Sequence, residues 1–116
     1  MFNPDKKLEI KLEVINFTDQ EKEIIELIKK VGWESEEVRE KITQWIDESE
    51  KEAEKTKNFS LATILFLRRR AYLYLTAGLN REFEADFNDA IEYAYQMNFD
   101  EIYNLLNEEL KNKIKR

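Results

Sequence analysis

The sequence predicts an all-α protein of about five helices packed as antiparallel hairpins, and three observations predict it. Two Gly and one Pro among 116 residues leave short loops and helices over most of the chain. From residue 18 onward, apolar residues recur at helical spacing. Helix starts and stops follow each other closely, and short connections force neighbouring helices antiparallel. The product is one domain over 1–116, built as a repeat-like array or a closed bundle. Within it an N-terminal extended segment, 1–17, precedes the helical hairpins of 18–116 and holds a candidate β-strand.

Residues 8–17, LEIKLEVINF, fit two patterns. Leu8, Ile10, Leu12 and Val14 alternate with Glu9, Lys11 and Glu13, as in a half-buried strand. Leu8, Leu12 and Ile15 also fit one helical face. The strict alternation and the β-branched residues that close it favour the strand. Nothing else in the chain reads as a strand, so its ladder has to come from outside. That points to a homodimer through residues 8–15, or to donation of the strand to another protein.

Thr18-x-x-Glu21 is a capping box, followed by the stripe Ile24, Leu27, Ile28 and Val31 and a stop at Gly32. Ser35 opens a second helix, with Glu36 and Glu37 placed to complement its dipole. Its stripe is Val38, Ile42, Trp45, Ile46 and Ala53. Asn58 or Ser60 caps a third helix that runs to Ala77 and stops at Gly78. This helix is apolar nearly all round, which places it in the middle of the array. The fourth starts after Asn80 with the stripe Phe83, Phe87, Ala90, Ile91 and Ala94, its acids on the opposite face. Asn98-x-x-Glu101 reads as a second capping box before a last helix with Ile102, Leu106, Leu110 and Ile114.

Hydrophobic content of 42% with 38% charged residues suits a folded domain with a charged surface rather than a disordered chain. The net charge of −6 opposes nucleic acid and anionic membranes. With no Cys and no His, disulfides, thiolate chemistry and the commonest general base and metal ligand drop out. MFNPDKK lacks the apolar core of a signal peptide, and the run 61–67 is too short to span a bilayer. The expectation is a soluble cytoplasmic protein, not an enzyme, with no cofactor, no nucleic acid and no membrane among its partners.

Residues 64–97 carry a further pattern. Ala71, Tyr74, Gly78, Phe87 and Ala90 fall where a tetratricopeptide repeat has small, aromatic, glycine, aromatic and small residues, and Asp86 and Ile91 suit its second helix. The stretch resembles one such repeat. It departs at Leu67, where a Trp is often found, at Phe83, in place of Ala, and at Tyr95, in place of Pro. The resemblance implies an adaptor that binds a protein or peptide segment in a concave groove lined by the first helix of the hairpin. Carried onto this sequence, the groove positions are Leu65, Arg68, Arg69, Tyr72, Leu75 and Thr76. An arginine fork beside an aromatic ring suits an acidic group on the partner. Without the repeat, the same small residues serve a close crossing in any antiparallel bundle.

Arg68, Arg69 and Arg70 stand about 100° apart on a helix, so they cannot share a face. Pairing with the chain's own acids competes with a role in the groove. Glu23 with Glu26, Glu37 with Glu40 and Asp86 with Asp89 each put two carboxylates on one helix face, as magnesium-dependent all-α nucleotide hydrolases do. In so acidic a chain such pairs read first as solvated surface, and the hydrolase stays a remote alternative. A nearer one is an acidic immunity or inhibitor protein that masks a basic toxin or nuclease, since opposite charge speeds encounter.

Overall fold

The computed structural model describes residues 12–114. Five helices follow one another: α1 (Asp19–Val31), α2 (Glu36–Glu54), α3 (Phe59–Thr76), α4 (Asn80–Gln96) and α5 (Asp100–Ile114). Each packs on the next in chain order, and α1 also touches α3. The all-α expectation holds. No helix among the described residues is long and apolar enough to cross a membrane.

The N-termini are set by the expected caps. Thr18 and Glu21 close a reciprocal box: Glu21 N donates to Thr18 Oγ1 at 3.2 Å and Thr18 N to Glu21 Oε1 at 2.8 Å. Ser35 Oγ accepts from Glu37 N, and Asn58 Oδ1 accepts from Leu61 N, which satisfies N–H groups that have no partner inside the helix. Asn98 departs from its expected role. Its φ is +61°, and it closes α4 rather than opening α5. Leu79 N donates to Tyr74 O and Gly78 N to Leu75 O, while Phe99 N donates to Ala94 O and Asn98 N to Tyr95 O. Both are Schellman endings, with Gly78 (φ +88°) and Asn98 in the left-handed position. Asn fills it because its short polar side chain tolerates that conformation.

Gly32 ends α1 differently, at φ +95° and ψ 156°, a region open to glycine almost alone. A Cβ at Gly32 or Gly78 meets nothing within 4 Å, so backbone strain alone sets the cost of a side chain. Urea unfolding of Gly78→Ala is expected to show a loss of about 1 kcal/mol. Gly32→Ala should lose more, about 2 kcal/mol. Equal losses would contradict this account.

Helix α3 is the hub. Ile64, Ala71 and Leu73 are fully buried, as are Phe87, Ala90 and Ala94 of the facing α4. Alanines at both sides of the crossing let the two axes approach, so Phe87 can insert beside Phe83 and Tyr72. Trp33, just past Gly32, lies edge-on to Tyr74 at 5.1 Å and packs against the core. In α1 the buried set is Glu21, Ile24, Ile25 and Ile28, while Val31 is exposed. The expected stripe is thus rotated toward Glu21, whose contacts explain the rotation below.

The candidate strand is corrected where it can be seen. Residues 12–18 have no regular secondary structure, no strand occurs among the described residues, and 8–11 lie outside them. Residues 12–17 make no backbone–backbone hydrogen bond with the other described residues. Leu12 and Phe17 instead pack on the helical core. Over 12–17 the alternation serves a segment lying on helices.

Candidate functional site

The three consecutive arginines of α3 reach three different elements. Arg68 grips Glu109 of α5 with both prongs, Nε to Oε1 at 2.8 Å and Nη2 to Oε2 at 2.7 Å. Arg69 turns to α1, where Nε and Nη2 each lie 2.6 Å from a Glu21 oxygen, and Nη2 also reaches Asn16 O at 2.8 Å. Arg70 turns to α4 and grips Asp86 at 2.7 and 3.0 Å. The 100° step between neighbours makes this divergence unavoidable. Fork-on-carboxylate pairing is what allows such charges to be covered.

Glu21 is the most connected of the three carboxylates. It is 2% exposed and accepts from Thr18 N, both prongs of Arg69, and Trp45 Nε1 of α2 at 3.2 Å. Burial pushes its carboxyl up, but the bonds from Arg69, Thr18 and Trp45 together outweigh that and hold it below its ordinary value. Nearby, burial pushes the Tyr74 phenol up to about 12, with the charge of Arg70 opposing.

A cavity of about 290 Å³ opens between α3, α5 and the segment before α1. Arg68, Tyr72 and Thr76 supply the α3 side, Glu109 and Lys113 the α5 side, and Leu12, Val14, Ile15 and Phe17 the remaining wall. Two cations lie over the Tyr72 ring, with Arg68 Cζ 5.3 Å and Lys113 Nζ 5.4 Å from its centre. Burial first, and then the Glu109 carboxylate, push its phenol well above the ordinary tyrosine value. Larger hollows of 540 and 590 Å³ are lined mostly by charged and amide side chains of α1 and α2. They are gaps between surface side chains.

Of the six groove residues expected from the sequence, Arg68, Tyr72 and Thr76 meet in this cavity. Leu65 is exposed one turn earlier on α3. Leu75 is half-buried against the core, and Arg69 is turned to α1. The expectation of guanidinium groups free for a partner's carboxylate is corrected at both arginines. Arg68 is 6% exposed with its Nε and Nη2 taken by Glu109, and Arg69 is held by Glu21 and Asn16. A guanidinium left unpaired at such depth would be costly.

Glu109, Lys113 and the 12–17 wall were not expected at the site. A signal existed for the first two, because residues 102, 106, 109 and 113 also share one face of α5. Asp86 is corrected as well: it is buried on Arg70 rather than solvated, so it is already spent as a partner for Asp89. Among the described residues no group of three or more acids is placed to hold a metal ion. Comparison of the chain with protein-family models, with curated proteins and with solved structures gives no match in any of the three.

Proposed function

We propose that the protein is an interaction module that takes an extended protein segment in the groove between α3 and α5, with no chemistry of its own. One observation carries the reading: the chain's own residues 12–17 lie along this groove without helix or strand, as a bound peptide would. The tetratricopeptide-like pattern at 64–97 supports it, since it puts Arg68, Tyr72 and Thr76 on the same face. With both arginine forks filled, an acidic group on the partner is met by Lys113, which makes no ion pair among the described residues.

The test uses two substitutions that act on the groove from opposite directions. Tyr72→Ala removes its aromatic wall, and Thr76→Arg, at an exposed position, fills it. Partners captured from the native host should be lost from both variants while their circular dichroism stays helical. Loss of a buried aromatic contact typically costs about 2 kcal/mol or more, a weakening of roughly thirtyfold. A partner retained by both variants overturns the reading.

The outer face of α2 supports a second reading. Glu36–Glu54 holds eight acids against three bases, nearly the whole net charge of −6. Such a face suits an inhibitor of a basic protein. Asp47→Lys with Glu48→Lys would abolish that association and leave a groove partner in place.

A further inference from the structure

Residues 12–17 divide into two sets. Leu12, Ile15 and Phe17 are half-buried, while Glu13, Val14 and Asn16 are exposed, Val14 to 84%. A single hydrogen bond, from Arg69 Nη2 to Asn16 O, holds their backbone to the helices. Ordering six residues opposes this arrangement, and three half-covered side chains return little. The segment also leaves about 290 Å³ open between itself, Tyr72, Thr76 and Lys113. It is a weakly held and incomplete occupant.

Resting on the groove reading above, we infer that residues 12–17 stand in for the partner: the groove accepts an extended protein segment with apolar side chains at the spacing of Leu12, Ile15 and Phe17 and a carboxylate reaching Lys113, and this segment binds by displacing the resident one. The spacing follows from which resident side chains are half-buried. The carboxylate follows from the ammonium over the Tyr72 ring. Displacement follows because both segments need the same wall, so the partner's apparent affinity is reduced by the fraction of molecules in which the groove is closed.

The experiment uses the full chain and a fluorescent peptide with the sequence of residues 10–18, IKLEVINFT, read by anisotropy. Wild type should bind it weakly, because the tethered copy competes. Leu12→Ser with Ile15→Ser weakens the resident segment and should tighten peptide binding about tenfold. Adding Thr76→Arg should remove that binding. If the serine pair unfolds the protein, Glu13→Gly with Val14→Gly loosens the segment through chain entropy alone and serves the same comparison. Equal affinity in wild type and the loosened variant overturns the inference, as does binding that survives Thr76→Arg. A wild-type dimer that the peptide dissolves assigns the groove to a second copy and overturns the foreign partner. Should the peptide behave as expected while a native partner ignores Thr76→Arg, the functional reading alone fails. In the converse case, displacement alone fails.

Discussion

Glu21→Ala is expected to destabilise the protein by about 4 kcal/mol, measured by urea unfolding at neutral pH. Breaking a buried ion pair by removing one partner costs about 3–5 kcal/mol. Arg69 keeps about a third of its side chain in solvent, which places its share at the low end, about 3 kcal/mol. Loss of the capping box adds about 1 kcal/mol. The Trp45 N–H also loses its acceptor. Against a total stability of roughly 5–15 kcal/mol, this is the substitution most able to unfold the chain, because one carboxylate ties the starts of α1, the middle of α2 and the centre of α3. The same carboxylate gives a pH dependence. Its folded-state value is depressed, so the unfolded state takes up the proton more readily and stability falls as pH drops. The loss begins below the ordinary value of 4.5. Glu21→Gln should therefore lie well below wild type at pH 7, with the gap narrowing as the pH falls below that value. A gap of constant size from pH 7 to pH 3 would refute the role of the charge.

The helices were legible because their ends are written locally. Thr18, Ser35, Gly32 and Gly78 act on backbone groups within a few residues of themselves, and each does in the structure what its type and spacing imply. Asn98 shows the limit of that reading. An Asn three residues before a Glu can open a helix or close the previous one, and the choice depends on how α4 ends. The turn at 97–99 repeats the geometry of 77–79, with Asn in the glycine position. At the site, the divergence of the three arginines followed from helix geometry, but their partners did not. Glu109 lies 41 residues from Arg68 and Glu21 lies 48 from Arg69, and no local pattern carries pairings at that range. Tyr72 and Thr76 line the cavity together because both sit on one face of α3. The 12–17 wall was missed because its alternation looks the same whether it faces a strand or a helical surface.

Phe87→Ala is expected to cost about 4 kcal/mol, and its effect should reach the groove. The ring is fully buried, and a buried Phe truncated to Ala loses both its transfer free energy and the contacts around the void, typically about 3–5 kcal/mol. The site cannot collapse easily. Ala71, Ala90 and Ala94 already hold α3 and α4 at close approach, and Phe83 lies against Phe87 at 5.5 Å between centres. The fourth wall is Tyr72, edge-on to Phe87 at 5.9 Å. Removing Phe87 takes away one of the two α4 rings against Tyr72 and leaves it with Phe83 at 5.8 Å and the cations of Arg68 and Lys113. The ring should then sample more than one position. Unfolding by urea gives the stability loss, and the groove effect is read separately as weaker binding of the peptide of residues 10–18 to the folded fraction. Ala90→Gly is the control: it changes the same buried face of α4 without removing a ring from Tyr72, and should cost about 1 kcal/mol through helix propensity without weakening the peptide. If Phe87→Ala lowers stability as expected yet leaves peptide binding at the Ala90→Gly level, Tyr72 is positioned by α5 rather than by the core. The coupling from packing to groove would then be wrong.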